Sequence, residues 1–544
     1  MGHNPLWYKD AVFYEVSVRA FCDSNGDGSG DLRGLTHKLD YLQTLGVTCL
    51  WLMPIFESPL RDDGYDISDY LRVLKEFGDV DDFKALIEAA HRRGICIIAD
   101  LVLNHTSDQH AWFQQARADR SSPYRDYYVW RDKPDVYLRY VDDKTHEEKD
   151  VRVIFTDEKE PNWTLDEVAG QYFWHRFFLH QPDLNYDNPR VQEEMLDVAR
   201  FWLKLGIDGF RADAVPYLFE RDGTSCENLP ETHAFLKKVR KVIEDEFPGC
   251  ILLCEANQWP ADVRAYFGDG DEFHMAFHFP IMPRIFMALK KGRVDDMAQI
   301  LRETPAIPDN CQWCTFLRNH DELTLEMVTP QDREWMWQQY APDPAMRRNL
   351  GIRRRLAPLL DNDRRKIELA NSLLFTLIGS PILYYGDEIG MGDDFRRYDR
   401  DGVRTPMQWD HTAKAGFTTG EPFSAILDGD YGPHNVNVEA QMADPTSLLH
   451  VIQHMIAARK THKVFGWGEL TWLDAGTASI AAYIRRYEGE SVLILNNLAD
   501  SPQTAAIPAA EQATYTEILS GERHQVGATI TLQPYQFMWL RREG

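Results

Sequence analysis

The 544-residue chain has little positive charge to set against its acids: 59 Lys and Arg face 85 Asp and Glu, a formal net charge of −26. A balance this acidic argues against nucleic-acid phosphates or an anionic membrane as partners. It suits neutral substrates and bound cations. Long hydrophobic runs are missing as well. The most apolar stretch, residues 373–385, is broken by Gly379, Ser380 and Pro381, and is too short to span a bilayer. The opening residues, MGHNPLWYKDAVFYEV, lack the basic-then-apolar order of a secretory signal. Cysteine is sparse and scattered. Cys49, Cys96 and Cys254 fall inside apparent strands and read as reduced core thiols. Cys311 and Cys314 form a C-x-x-C without a second pair at zinc spacing, so they do not read as a zinc site. These features together predict a cytoplasmic protein. Internal repeats and low-complexity tracts are also lacking, which excludes a solenoid or a disordered linker protein.

What the chain does have is a rhythm. Short apolar, β-rich runs alternate with longer helical patterns, starting with AVFYEV, TCLWLMP, ICIIADLVLNH and GIDGFRADA. CILLCEA, HMAFHF, WCTFLRNHD and SPILYYGDE complete the set. Eight such runs predict a (β/α)8 barrel of the TIM type, whose strands are buried on both faces. One helix is expected to open at Asp81-Asp82-Phe83 and to close at Gly94. Two segments break the rhythm. Residues 105–183 are polar and aromatic and read as a subdomain inserted after the third strand. Residues 327–365 form a charged, helical-looking excursion after the seventh. From about residue 461 the pattern changes to short alternating strands, which predicts a C-terminal antiparallel β-sandwich domain. The expected division is 1–104 and 184–460 for the barrel, 105–183 for the insert and 461–544 for the β domain.

In barrels of this type the working side chains stand at the C-terminal strand ends. Those positions carry Tyr65 and Asp66 after the second strand, and Asn104 and His105 after the third. Arg211 and Asp213 end the fourth, Glu255 the fifth, and His320 and Asp321 the seventh, while Arg404 lies in the loop after the eighth. Any one of these carboxylates reads as a surface charge or a helix cap. Three on separate strands, facing one mouth, are the equipment for cleaving an acetal. One carboxylate attacks the anomeric carbon and one carboxylic acid protonates the leaving oxygen, about 5–5.5 Å apart in the retaining version. Arg211 lies two residues before Asp213, on the same strand face, and is expected to hold it ionised. Glu255 follows ILLC and has no basic neighbour in sequence, so a raised pKa and an acid role are expected there.

The strings GFRADAV, LCEAN, RNHDE and DLVLNH resemble the four signature regions of the α-amylase family of glycoside hydrolases, and QPDLNYDNP resembles a fifth. The resemblance runs from about Trp7 into the C-terminal β domain. It implies Asp213 as nucleophile, Glu255 as acid/base and Asp321 as transition-state stabiliser. His105, Arg211 and His320 would touch the reacting sugar, Asp66 and Arg404 its far hydroxyls, and Tyr65 its ring. Longer strings, among them ENLPETHAFLKKVRK, FLRNHDELTLEMV and DRDGVRTPMQWD, are similar to a narrower group of that family, the trehalose synthases. That group implies a disaccharide substrate and intramolecular glucosyl transfer between maltose and trehalose, with minor hydrolysis. Hydrolytic α-glucosidases share every catalytic residue named and are the alternative. A non-catalytic relative, such as a transporter heavy-chain ectodomain, would have lost the carboxylates. Self-association into a homo-oligomer is left open.

Two calcium sites are expected. Asp23, Asn25, Asp27, Ser29 and Asp31 space oxygen ligands at alternate positions with Gly in the turn, as a cation-wrapping loop does, although Gly34 stands where an EF-hand needs Glu. The plain alternative is a solvated Asx-rich turn. By the family resemblance, Asn104, Asp183 and Glu220, with the backbone carbonyls of Tyr217 and Leu218, would hold a second ion. Arg353, Arg354, Arg355, Arg364 and Arg365 are expected to be salt-bridged and not anion sites. No organic cofactor is implied.

Overall fold

A computed structural model describes residues 4–142 and 144–543. Eight parallel strands close into a barrel in the order β1-β8-β7-β6-β5-β4-β3-β2. They are β1 (Phe13–Val16), β2 (Cys49–Leu52), β3 (Cys96–Val102), β4 (Gly209–Asp213), β5 (Ile251–Cys254), β6 (Met275–Phe277), β7 (Gln312–Phe316) and β8 (Ser380–Tyr384). Every residue of these strands is buried, which is why their sequences read as unbroken apolar runs. Gly209 opens β4 at φ +147, and a Cβ there would lie 2.2 Å from the Ile251 carbonyl oxygen, so β4 and β5 approach closely only because the side chain is missing.

The helices that cover the barrel start and stop for local reasons. Helix α1 (Val80–Arg92) is capped by Asp79, whose carboxylate accepts from the backbone N–H of Asp81 and Asp82 while Asp82 closes a capping box. The predicted start lay one residue late, because the capping residue itself was missed. Helix α2 (Pro189–Leu205) takes Asn188 as its N-cap and ends on Gly206 in the left-handed conformation.

The insert begins and ends at one point: His105 and Asp183 form an antiparallel bridge. Between them lie a helix, Ala111–Ala118, and a three-stranded sheet built from Trp130–Arg131, Gln171–Trp174 and Trp163–Asp166. Its small core contains Val129, Val151, Trp163 and Trp174. The second excursion is only half as helical as its sequence suggests. After helix α3 (Pro330–Tyr340) it folds back as two short strands, Arg347–Arg348 and Gly351–Ile352, against Leu323–Thr324.

The C-terminal domain sets a six-stranded antiparallel sheet beside a two-stranded one, Gln503–Ala506 with Thr529–Leu532. Leu493, Leu495, Leu532 and Leu540 lie in the core between them. The run ATITLQPYQFMWL holds two strands, because its middle turns the chain between Thr529–Leu532 and Phe537–Arg542. All eight cysteines are free thiols, and seven are buried. Among the described residues no helix is long and apolar enough to cross a membrane. Four of the five clustered arginines are paired, Arg354 with Asp393, Arg355 with Asp387, Arg364 with Glu368 and Arg365 with Asp363, whereas Arg353 donates to the backbone carbonyls of Ala345, Arg397 and Asp399.

Candidate active site

Strand geometry places the three carboxylates. Arg211 and Asp213 lie two apart on β4 and share a face. Glu255 follows β5, and its backbone N–H bonds to the Ala212 carbonyl, continuing the ladder by one residue. Asn319, His320 and Asp321 follow β7. All three carboxylates line one cavity of about 870 Å³, counted with its open mouth, together with Tyr65, His105, Asn319 and His320. The insert adds Ile154, Phe155 and Phe177 to the wall, and Glu322, Thr324 and Glu326 come from the segment that leads into the second excursion.

One guanidinium organises the acid pair. Arg211 is buried and its Nη1 lies 2.6 Å from Asp213 Oδ1, while its Nη2 contacts Glu255 Oε1. Glu255 has no basic neighbour along the chain, as expected, but one arrives across the β4–β5 pair. Arg211 also lies 2.5 Å from Asp100 Oδ1, a fully buried residue of β3 that sequence reasoning overlooked. Asp100 accepts from Trp51 Nε1 at 2.8 Å and from the Tyr65 hydroxyl at 3.2 Å. Burial raises Glu255 to about 8; Arg211 opposes this and the charges of Asp213 and Asp321 add to it. Burial also raises Asp213, to about 6, because Arg211 divides its charge among Asp100, Glu255 and Asp213. Arg211 thus limits the rise at Asp213 and does not reverse it. Asp321 goes the other way. Burial would raise it, but His320, Arg400 and Arg404 outweigh burial and hold it well below the usual carboxylate range. Arg400 Nη1 donates to Asp321 Oδ1 at 2.6 Å and Arg404 Nη2 to the same oxygen at 3.2 Å.

Three expected sugar contacts do not line the cavity, and Arg211 is one of them, being buried and committed to Asp100, Asp213 and Glu255. Asp66 is fully buried, and its oxygens accept from the Ser58 hydroxyl and from the backbone N–H of Arg61 and Asp62. It shapes its loop and does not line the cavity. Asp62 does line it, four residues earlier, paired with Arg400 at 2.8 Å. Arg404 likewise stands behind the wall, donating to the His320 carbonyl at 3.0 Å, whereas Arg400 reaches the cavity. Each loop holds several residues of the right type, and only the path of the backbone decides which one faces inward. Tyr65 stacks on the His320 ring, centroids 5.3 Å apart at 12°. His105 is buried, its ring lies against Phe177, and burial lowers it to about 3, so it is neutral.

The two expected cation sites differ. In the loop 23–31, Asp23 accepts from the N–H of Asn25, Gly26 and Gly28, Asn25 from Asp27, Asp27 from Ser29, and Asp31 from Ser24 and Gly34. These are Asx turns and a helix cap. Only Ser29 Oγ is buried without a partner there. Among the described residues no three His, Cys, Asp or Glu side chains group to hold a metal. The second set mixes amide and carboxylate oxygens. Asn104 Oδ1, Asp183 Oδ2 and Glu220 Oε1 are each buried without a hydrogen-bond partner, an acceptor set that fits a hard cation. Tyr217 ends a short turn at Val215–Tyr217 beside them, and its side chain also lines the catalytic cavity, where the hydroxyl accepts from Arg152 at 2.7 Å.

Ion pairs join the parts that overhang the mouth. Arg348 of the second excursion meets Glu158 of the insert at 2.5 Å and Asp399 at 2.6 Å. Arg152 of the insert meets Glu227 at 2.7 Å and Glu326 at 3.1 Å. The stretch 327–365 does not line the cavity and reaches the insert through the Arg348–Glu158 ion pair.

Comparison with known proteins gives a consistent picture. The family model for "Alpha amylase, catalytic domain" matches residues 16–341 and 353–468, and that for "Maltogenic Amylase, C-terminal domain" matches residues 470–539. A "Trehalose synthase/amylase TreS" of Mycobacterium tuberculosis is 57% identical over 99% of this chain and 90% of its own length. An "Oligo-1,6-glucosidase" of Heyndrickxia coagulans is 31% identical over 97% of this chain and 98% of its own. Among solved structures, an inactive double mutant of MutB in complex with isomaltulose superposes with a TM-score of 0.81 at 29% identity, covering 100% of both chains.

Proposed function

The chain belongs to the α-amylase family of glycoside hydrolases, and from that premise we propose that it interconverts maltose and trehalose by moving a glucosyl unit within the disaccharide. The observation that carries this reading is the near-full-length, 57% identical match to a trehalose synthase/amylase, combined with a cavity lined by the three carboxylates and by residues of the insert, which Arg348 ties to the second excursion. The residues supply a double displacement. Glu255, protonated near neutral pH, gives its proton to the glycosidic oxygen as that bond breaks. Asp213, mostly ionised at the same pH, closes a bond to the anomeric carbon. Asp321, held ionised by Arg400 and Arg404, faces the positive charge that builds on the sugar ring. The released glucose turns in the cavity and its anomeric hydroxyl returns a proton to Glu255 as it attacks the glucosyl carbon, freeing Asp213 and giving trehalose. Asp62 and Arg400 are the groups placed to hold the far hydroxyls of the bound glucose.

Water at about 55 M competes with the returning sugar, while an oriented acceptor reaches effective molarities of about 10⁵ M or more, so enclosure decides the product. The oligo-1,6-glucosidase relative supports hydrolysis as the second reading, at the lower identity of 31%. Incubation with pure maltose and chromatography of the products separates the two. Trehalose as the main product is expected; glucose alone would leave a hydrolase.

The same reading assigns a structural calcium to Asn104, Asp183, Glu220 and the carbonyls of Tyr217 and Leu218. Its support is the three buried oxygens without donors. When bound, the ion would neutralise two carboxylates and tie the insert to the ends of β3 and β4. A second calcium in the loop 23–31 has less support, since most of its side-chain oxygens already accept backbone N–H groups. The eight free thiols fit a reducing, cytoplasmic compartment.

A further inference from the structure

Glu15 is a carboxyl group for which the mechanism above has no use. It lies on β1, fully buried, against His320. Its Oε1 contacts His320 Nδ1 and sits 3.4 Å from the backbone N–H of the same residue. Its other oxygen, Oε2, is buried with no hydrogen-bond partner. On the far side of the ring, His320 Nε2 is 3.2 Å from Asp321 Oδ2. The faces of the imidazole are closed by Tyr65, stacked upon it, and by Trp51 at 5.8 Å edge-on.

A ring held between two carboxyl groups has two proton arrangements. It is either an imidazolium between two carboxylates, or a neutral ring that accepts from an acid and donates to one carboxylate. Asp321 is the ionised partner, since Arg400 and Arg404 both donate to it, so Nε2 carries hydrogen. The choice then rests on Glu15. Ionised, it would bury a charged oxygen that no donor meets; as an acid it leaves only an uncharged carbonyl oxygen there. The surrounding charges agree. Burial drives Glu15 well up, with Asp321 and Asp100 adding to the rise and Arg211 opposing it. Burial drives His320 well down, with Asp321 opposing and Arg404, Arg211 and Arg400 reinforcing it. Tyr384 of β8 faces the same pocket and burial keeps it un-ionised.

We propose that Glu15 is a protonated carboxylic acid that donates to His320 Nδ1 and thereby fixes the ring as the Nε2–H tautomer presented to Asp321 and the sugar. Glu15 acts through His320 and is a positioning residue. The tautomer of a neutral histidine is set by the bond its second nitrogen makes. Only the kinetic arm of the test rests on the maltose reading.

Two variants of the full chain separate the roles. Glu15→Gln keeps a donor for Nδ1 on a nearly identical shape; Glu15→Met keeps the volume and removes the donor. Calorimetric melting checks that both fold. For turnover of maltose, Glu15→Met is expected to lose about tenfold or more in kcat/KM, and Glu15→Gln to recover most of that loss with the pH profile of the parent. Nitrogen NMR of the histidine-labelled parent, with His320 assigned by its loss in His320→Gln, is expected to show a neutral ring protonated on Nε2 from about pH 5 to 8. A doubly protonated ring, a ring protonated on Nδ1 alone, or a Glu15→Gln variant that folds yet is as impaired as Glu15→Met would overturn the assignment. The NMR measurement uses no substrate. A parent enzyme inactive on maltose would sink the proposed function and leave the tautomer assignment to be decided by that spectrum.

Discussion

Two groups of buried carboxylates lie within the same half of the barrel, and the protein treats them in opposite ways. Around Asp213, Glu255 and Asp321 it supplies its own cations: Arg211 spans the first two, and Arg400 and Arg404 meet the third. Asp183 and Glu220 are more deeply buried than Glu255 and Asp321, yet one oxygen of each meets no donor, and burial lifts Asp183 to about 8 and Glu220 well up. The difference shows what each group is for. Catalytic carboxylates need distinct proton affinities set in advance, and fixed guanidinium groups set them without blocking the sugar. On the proposed reading, a group that holds the insert to the barrel needs charge only once the two have met, and a bound cation would supply it.

The comparison breaks most sharply at the nucleophile. Asp213→Asn keeps the shape and the Arg211 contact but removes the attacking oxygen anion, so turnover of maltose should fall at least about 10⁴-fold with the melting temperature nearly unchanged. Activity near the parent level would remove Asp213 from its role. Glu255→Gln should be almost as damaged on maltose, yet release fluoride from a glucosyl fluoride, whose leaving group needs no proton. The proton affinities also predict the pH profile of kcat/KM. Asp213 must lose its proton, so activity falls as pH drops below about 6; Glu255 must keep its own, so activity falls as pH rises past about 8. A profile flat from pH 5 to 9 would contradict both assignments.

A smaller effect is expected where the second excursion meets the insert. Arg348→Ala frees the second excursion from Glu158 and Asp399, and loosening this contact should raise free glucose relative to trehalose about two- to threefold, the scale of one ion pair at the protein edge. Labelled glucose added to the reaction should enter trehalose weakly in the parent and more readily in the variant. Equal incorporation in both would show that the ion pairs do not enclose the intermediate.

The smallest effect is expected from removing the cation. A ligand at about 100 times its Kd stabilises by about 2.7 kcal/mol, which for a chain of this length is a melting shift of about 2 °C. Chelation should lower the melting temperature by that amount, and Asp183→Asn should abolish the response. A parent protein that carries no calcium on metal analysis and melts identically with and without chelator would leave the buried oxygens of Asn104, Asp183 and Glu220 to be explained another way.

The sequence by itself determined the barrel and put three carboxylates at the ends of separate strands. Both are written in local pattern: eight apolar runs, several of them followed by a polar residue, need no knowledge of what lies opposite. It also placed His105 and His320 at the cavity, whereas Arg211, expected to touch the sugar, is buried among the carboxylates it pairs with. It did not determine which of Asp62, Asp63 and Asp66, or of Arg400 and Arg404, faces the sugar, because loops have no period and side-chain direction there follows the backbone path. Nor did it reveal that Arg211 serves Glu255 as well as Asp213, that Asp100 shares that charge, or that Glu15 backs His320 from a strand 305 residues away in sequence. Those pairings are decided by the closure of the barrel, which brings β1 beside β8 and β4 beside β5. Proton affinities follow the same division: residue type sets the starting value, but burial and charges from other strands set the final one, and both exist only once the chain has folded.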